Sequence, residues 1–369
     1  MISRIRLGNF KAFARLDIGM APLTLLSGIN ATGKSTVLQA LAILRQSFDA
    51  GILPEEGLLL NGELVSLGTG KDLLHEDYDE DEQPAISIHL TDNDEQYLWA
   101  VGYSREDDLL QAHSRPTSPL AALALFQPGF QYLRADRAVP AVTYPKSYEA
   151  AIRRGFLGVT GEHTVNYLRS HQDDRLPDTA PRHDRAASST LLDQVTAWMQ
   201  ELCPGVNLQV NDLEGTDLVQ LDYGFFGTAG LRASNRYRPT NVGFGLTYVL
   251  PVVVSCLTAA PNTVMLIENP EAHLHPHGQT LMGKLASRTA AGGAQVIMET
   301  HSDHVLNGLR ISVKDGVLQP TEVALHYFHR TATGSISSTR PMIGPDGMLS
   351  DWPSGFFDEW DRTLDNLLS

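Results

Sequence analysis

The stretch Gly28-Ile-Asn-Ala-Thr-Gly-Lys-Ser-Thr36 decides the fold of this chain. It follows the spacing G-x-x-x-x-G-K-[S/T], in which glycines let backbone N–H groups curl around an anion. Pro22-Leu-Thr-Leu-Leu26 ahead of it reads as a short buried strand, and Val37-Leu-Gln-Ala-Leu-Ala-Ile-Leu44 behind it reads as the opening of a helix. A strand, a glycine loop and a helix N-terminus in that order build a phosphate cradle, because the helix dipole adds to the loop amides. The spacing assigns Gly28, Asn30, Gly33, Lys34, Ser35 and Thr36 to a nucleoside triphosphate. Lys34 is expected to reach the β- and γ-phosphates and the Ser35 hydroxyl to sit on Mg²⁺.

Outward from the loop, residues 2–7 and 16–26 read as strands, with Asn9-Phe-Lys-Ala-Phe13 as the turn between them. Leu58-Leu-Leu-Asn-Gly-Glu-Leu-Val-Ser-Leu67 carries Asn-Gly between apolar runs, which predicts a hairpin. The acidic run from Asp77 to Glu82 reads as a solvated loop, followed by alternating strands over 85–90 and 97–103. Residues 170–187 are polar and aperiodic and read as a surface loop. Residues 190–202 have helical spacing, and a strand pair is expected over 206–223. No internal repeat is present, and no sustained heptad runs between the phosphate loop and residue 240, so no long coiled coil is inserted there.

Composition narrows the function classes. The 369 residues allow one large domain or two modest ones. A formal net charge of −15 argues against a surface that is basic throughout, so nucleic acid would need a local patch. The best candidate patch is Leu231-Arg-Ala-Ser-Asn-Arg-Tyr-Arg238, for which a solvated loop is the competing reading. The two cysteines, Cys203 and Cys256, read as inert core thiols of a reducing compartment. The start of the chain alternates like a strand and lacks the apolar core of a signal peptide. The most apolar region, 246–260, contains Pro251 and is too short to span a bilayer. The expectation is a soluble, cytoplasmic protein with no membrane partner.

The second half carries the candidate chemistry. Thr263-Val-Met-Leu-Ile-Glu-Asn-Pro-Glu271 is a buried strand ending in two carboxylates. In nucleotide hydrolases the first such carboxylate orients Mg²⁺ and the second polarises the attacking water; Glu268 and Glu271 fit those roles. Gln295-Val-Ile-Met-Glu-Thr-His-Ser302 is a second buried strand ending in a polar cluster, where His301 is placed to meet the γ-phosphate or the water. Residues 240–250 set Gly243 and Gly245 directly ahead of an apolar helix, whose exposed amides suit a second phosphate contact. His273, His275 and His277 invite a zinc reading, but Pro276 breaks the alternation that would put them on one face.

This order of phosphate loop, glycine segment, double-Glu strand and strand-end His resembles ABC-type ATPase heads of the AAA class. It looks closest to the non-transporter branch of RecF, structural-maintenance-of-chromosomes (SMC) proteins and the overcoming-lysogenisation-defect ATPases. Ile5-Arg-Leu-Gly-Asn-Phe-Lys-Ala-Phe13 is similar to the opening strand and turn of that branch. Asn269-Pro-Glu-Ala-His-Leu-His-Pro276 and Glu299-Thr-His-Ser302 are similar to its short members. Residues 344–360 resemble the C-terminal extension of ATPases found near phage-defence genes.

The resemblance implies an α/β P-loop NTPase: one head over residues 1–369, with a mixed core sheet, an antiparallel β subdomain and a helical lobe. Its parts would be an N-terminal lobe over 1–130, a helical insert over 131–239, and the signature and catalytic segments over 240–369. It implies a homodimer that sandwiches ATP, each protomer's signature (Asn241, Gly243, Gly245) closing the other's site. The signature departs from the usual pattern, since Phe244 separates the glycines and no Ser precedes them. Gln131, in Gln131-Tyr-Leu-Arg-Ala-Asp-Arg137, falls where the family's Mg²⁺-binding glutamine is expected, while Arg134 and Arg137 read as partners for acids. The residues beyond His301 are too few for a nuclease domain, and Asp346, Asp351, Asp358 and Asp361 read as surface acids. The implied function is an ATP-hydrolysing switch acting on DNA processing or phage defence through a separate effector. An ABC-transporter subunit and a small-molecule kinase are the alternatives.

Overall fold

The structure, a computed structural model, describes residues 1–78, 85–225, 235–332, 334–353, 355–357, 363, 364 and 367. Residues 79–82 of the acidic run, 231–234 of the basic cluster, Asp358 and Asp361 lie outside the described residues. The chain divides into two compact units, residues 1–127 with 319–369, and residues 128–318.

The first unit opens with β1 (Ile2–Phe10), β2 (Phe13–Gly19) and β3 (Leu23–Gly28), followed by helix α1 (Lys34–Asp49). β4 (Gly57–Leu59), the short α2 (Gly70–Leu73), β5 (Ile86–Asp92), β6 (Glu95–Val101) and β7 (Leu109–Ser114) complete its N-terminal part. An antiparallel sheet runs in the order β2-β1-β5-β6-β7-β4. Its register aligns Ile5 with Ile18 and Leu90, and Leu7 with Leu16 and Ile88, so one face is a continuous apolar layer. β3 lacks that alternation: Leu23, Leu25 and Leu26 are all buried, as expected of a strand covered on both faces.

The expected turn at Asn61-Gly62 forms, closed by the Gly62 N–H on the Val65 carbonyl at 2.9 Å, with a short antiparallel bridge between Asn61 and Ser66 and the Leu67 N–H on the Leu60 carbonyl at 3.0 Å. The pairing is too short to make a full strand there; the strand of this stretch, Gly57–Leu59, pairs with β7. The Gln46 side chain on α1 organises the loop: its amide donates to the Leu59 carbonyl at 2.7 Å and accepts from Leu64 and Val65 N–H at 3.2 and 2.9 Å. The side chain thus adds partners for backbone groups that the short pairing leaves unmatched.

The second unit contains β8 (Gln131–Leu133), β9 (Tyr144–Pro145), α3 (Thr164–His171), α4 (Leu191–Leu202), β10 (Val206–Asp212) and β11 (Leu218–Phe225). It continues with α5 (Phe244–Thr258), β12 (Val264–Glu268), α6 (Pro276–Ala291), β13 (Gln295–Glu299) and α7 (Asp303–Lys314). β13, β12 and β8 are parallel neighbours, and β10, β11 and β9 form a small antiparallel sheet. α5 continues through Pro251. Pro251 has no N–H for the Thr247 carbonyl, a local loss, but burial of Val249 to Leu257 along nearly the whole helix outweighs it.

The chain then returns to the first unit as β14 (Val323–Arg330) and β15 (Ile336–Thr339). β14 is parallel to β3, with Leu325 beside Leu25 and Phe328 beside Gly28, and β15 is antiparallel to β14. This pairing explains why residues from 319 onward join the phosphate loop's unit rather than the stretch that follows residue 240. Among the described residues no helix is long and apolar enough to cross a membrane.

Candidate active site

In the first unit the sequence-predicted loop closes on its own lysine. Lys34 is 4% exposed, and its Nζ donates to the carbonyls of Gly28 and Ile29 at 2.9 and 2.8 Å. Thr32 Oγ1 donates to the Ile29 carbonyl at 2.7 Å, and Thr36 N–H to the Gly33 carbonyl at 3.0 Å. Both motif glycines are forced by geometry. Gly28 has φ +145°, and a Cβ there would lie 2.2 Å from the Phe328 carbonyl oxygen. Gly33 has φ +82° and would meet the Phe13 ring at 2.6 Å. Glycine at both positions lets the loop pack against the β14 backbone and the Phe13 ring, where a side chain would collide. Ser35 and Thr36 lie in the first turn of α1, and Asn30 stands exposed at the loop crest.

The same unit holds a cavity of about 740 Å³ whose wall includes Ala31 of the loop, Lys11, Phe13, Arg15, His75 and Arg330. Arg330, at the end of β14, donates to the Ala31 carbonyl at 3.3 Å and the Gly334 carbonyl at 3.1 Å. Nothing in the loop motif points to Arg330, because its approach depends on β14 pairing with β3 from some three hundred residues away.

In the second unit the two predicted carboxylates stand at the end of β12 in different settings. Glu268 Oε1 accepts from the Tyr132 hydroxyl at 2.6 Å and Oε2 from the Ala135 N–H at 3.0 Å. Burial and the neighbouring Glu268 charge push the Tyr132 hydroxyl well above its ordinary range, so it stays a donor. Glu271 Oε1 accepts from the His301 backbone N–H at 2.8 Å, while its buried Oε2 has no partner among the described residues. Burial raises the Glu271 carboxyl above the ordinary glutamate range, opposed by the His301 N–H, by Thr300 and by the Arg137 charge. A desolvated carboxylate with one oxygen anchored and one open is suited to take a proton from water. The Glu268 oxygens, each with one donor, keep lone pairs for metal-bound water and fit an outer Mg²⁺ ligand.

His301 contributes its backbone to this site, and its side chain is exposed at the head of α7, where Ser302 caps the helix by accepting from His304 and Val305 N–H. Gln131 requires a correction. Its side-chain amide donates to the Gly155 carbonyl at 2.6 Å and accepts from the Leu157 N–H at 3.2 Å. Both ends of a buried amide are spent on backbone, so it ties β8 to the 155–157 loop instead of presenting an oxygen to a metal.

Arg134 pairs with Asp136 at 3.0 Å as the sequence reading expects, but Arg137 pairs with no acid among the described residues. Its guanidinium donates to the carbonyls of Glu268 and Asn269 at 2.6 and 3.0 Å. The signature segment is exposed at Asn241, Gly243 and Phe244. Gly245 lies inside the first turn of α5, where a Cβ would sit 2.6 Å from the His273 carbonyl oxygen. Gly245 is therefore a packing glycine, whereas Gly243 faces open space. His275 caps α6 by accepting from the His277 N–H, and no group of three metal-binding side chains is assembled among the described residues. Cys256 is buried and free, its thiol pushed up to about 12 by desolvation. Of the described part of the basic cluster, Arg236 bonds to Asn207, and Tyr237 and Arg238 are exposed.

An Smc head bound to the C-winged helix domain of ScpA is similar over 92% of this chain and 97% of that one, at 15% identity and a TM-score of 0.53. The chain has the fold of an SMC-like ATPase head. An SMC head from Thermotoga maritima gives 12% identity over 92% of this chain and 98% of that one, with a TM-score of 0.43. A third head, with an extended coiled coil and bound to the C-terminal domain of ScpA derived from Pyrococcus furiosus, gives 12% identity over 100% and 99%, with a TM-score of 0.49. Three family models match successive parts of the chain. Residues 1–118 match an "AAA ATPase domain". Residues 170–307 match "AAA domain, putative AbiEii toxin, Type IV TA system", and residues 318–367 match a "Protein of unknown function (DUF3696)". No curated protein matches the sequence.

Proposed function

We propose that the chain binds ATP and hydrolyses it to ADP and phosphate, and that ATP closes two copies into a dimer acting as a switch on a separate effector. Lys34 and the loop amides hold the β- and γ-phosphates, and the cavity walled by Lys11, Phe13, His75 and Arg330 takes the nucleoside. Ser35 and Glu268 are the residues that would hold Mg²⁺, which when bound neutralises the phosphate oxygens. Glu271 accepts a proton as the water oxygen bonds to the γ-phosphorus and the bond to the β–γ bridging oxygen breaks, leaving ADP. The observation that carries this reading is the unpartnered, desolvated Oε2 of Glu271 on a carboxylate oriented by the His301 amide.

Exposure of Asn241, Gly243 and Phe244 supports the dimer, because these groups gain a phosphate ligand only when a second protomer docks. A match to a family described by a toxin–antitoxin system supports output in phage defence, with DNA processing as the related role. The effector, a nuclease among the candidates, is a separate protein, and any nucleic acid would be met through the local patch ending in Arg238. The test is turnover of Mg-ATP by the purified chain, with Glu271→Gln as the control. Absence of turnover in the wild type, or unchanged turnover in the variant, would overturn the reading.

A further inference from the structure

A cavity of about 280 Å³ opens in the second unit between α4, α6 and the chain just ahead of α4. Lys284 and Arg288 line it from α6, Trp198 and Glu201 from α4, and His183 and Arg185 from the preceding segment. Glu201 accepts from His183 Nε2 at 3.0 Å and pairs with Arg185. Arg288 lies over the Trp198 ring, 5.6 Å from its centre. Neither Lys284 nor Arg288 is in an ion pair among the described residues. The two stand one helical turn apart on α6, at the spacing where like charges repel.

The chain as a whole has 43 acidic residues against 28 basic ones. Around this hollow the balance reverses: Arg185, Lys284 and Arg288 outnumber Glu201 and Asp184. His183 feels the same field, since burial and then the charges of Arg185 and Arg288 lower its pKa against the pull of Asp184. The ring is therefore neutral at pH 7 and gives Glu201 an ordinary hydrogen bond.

The protein itself holds the wall in place. Trp198 Nε1 donates to the Pro181 carbonyl at 2.9 Å, and the His183 N–H donates to Gln194 Oε1 at 2.6 Å. The His183 ring meets the Trp198 indole edge-on at 5.2 Å. These contacts pin the polar stretch around 181–185 to α4 and so fix the backbone that carries Arg185. Size and charge then select what fits. Ligand pockets run from about 300 Å³ upward, so this one suits a small molecule. A nucleic-acid backbone spreads its charge along a strand and calls for a row of cations. Cations converging on one hollow suit a single, multiply charged group, and phosphate oxygens accept from both guanidinium and ammonium.

We propose that this cavity binds a small phosphate-bearing molecule through Lys284, Arg288 and Arg185, at a site separate from the phosphate loop, with Trp198 as the platform for Arg288. Two cations left without a counter-ion by the fold gain one when the phosphate enters.

Inorganic pyrophosphate is the probe, titrated calorimetrically into the full chain at constant ionic strength. Lys34→Ala is carried in every sample to weaken the phosphate loop. Saturable binding is expected, and Lys284→Gln and Arg288→Gln should each weaken it about tenfold or more, the scale of one hydrogen bond to a charged group. Binding should also change the emission of Trp198, with Trp198→Phe identifying that signal. Without the Lys34 change, both α6 variants should turn over Mg-ATP within about twofold of wild type. Lys284→Gln serves alone if uncovering Trp198 unfolds the Arg288 variant. Absence of pyrophosphate binding, or equal affinity in Lys284→Gln and its parent, overturns the proposal. So does a response confined to a single-stranded oligonucleotide or a poly-glutamate peptide, which would make the face a nucleic-acid or protein contact.

Discussion

Glu271 and His301 are joined through the backbone: the His301 N–H donates to Glu271 Oε1 at 2.8 Å. Position 301 therefore orients the carboxylate whatever its side chain does. His301→Ala keeps that amide, so its effect on turnover isolates the imidazole. We expect a moderate loss, roughly tenfold, against a near-complete loss in Glu271→Gln. Single-turnover rates on the two variants check this, and equal losses would mean that the imidazole itself is essential.

Glu271→Gln should also make the protein more stable at neutral pH. Burial raises the folded-state carboxyl above its unfolded value, so the native state holds more protons between the two and stability falls as pH rises through that window. Above it the ionised form carries the full cost, and a neutral amide avoids it. Thermal unfolding without nucleotide should show a higher Tm for the variant at pH 7.5, and the gap should close toward pH 4. A lower Tm at pH 7.5 would mean that the lost charge was stabilising.

Loss of the Lys34 ammonium should weaken ATP by about ten- to a hundredfold, the scale of one strong hydrogen bond to a charged group. Lys34→Ala also removes the contacts to the Gly28 and Ile29 carbonyls, so a companion is needed. Gly33→Ala keeps Lys34 but forces a Cβ against the Phe13 ring at positive φ, which should destabilise the first unit by about 1–3 kcal/mol. Titration calorimetry and urea unfolding separate the two: Lys34→Ala should lose mainly affinity, and Gly33→Ala both. Unchanged ATP affinity in Lys34→Ala would sink the phosphate-loop assignment.

His326 on β14 gives the first unit a sensitivity to acid. Its Nε2–H donates to the Gly19 carbonyl at 2.7 Å, and burial lowers its pKa to about 4. An unfolded histidine titrates near 6.5, so the unfolded state takes up the proton first. Stability is fully present above about pH 6.5 and is lost as pH falls toward 4. Between pH 7 and 5 the loss should be about 2 kcal/mol, at 1.36 kcal/mol per unit. His326→Gln keeps a donor for Gly19 and should flatten that part of the urea-unfolding profile. A slope identical to wild type would place the acid sensitivity elsewhere.

The legible parts of this molecule are those whose partners are close in sequence. The phosphate loop is set by nine consecutive residues, and the strand ending in Glu268 and Glu271 by its own apolar run, so the ATPase-head fold could be read. Arg137 could be noticed but not understood, because its carbonyls belong to residues 268 and 269. Gln131 was misleading for the same reason, its partners being the 155–157 backbone. Asn61-Gly62 is a local turn signal that could be read, since its bridge joins Asn61 to Ser66 only five residues on, whereas the Gln46 side chain that braces the loop could not.

Gly243 and Gly245 look equivalent in sequence, and the structure separates them into a clean test of the dimer. Any side chain at 245 meets the His273 carbonyl within its own protomer, so a loss of dimer there would be ambiguous. Gly243 has ordinary strand-like angles of φ −61° and ψ 138°, with open space around its Cα. Gly243→Gln should therefore keep stability within about 1 kcal/mol, the usual range for an exposed cap position. On the proposed reading, however, the added side chain occupies the place of the partner's phosphate. In a Glu271→Gln background, light scattering should find a dimer with Mg-ATP that the further Gly243→Gln change abolishes, with ATP affinity of the monomer retained. Gly245→Ala should instead lower Tm with or without nucleotide. A Gly243→Gln protein that dimerises as its parent does would remove the signature from the interface and favour the kinase alternative, in which one protomer suffices.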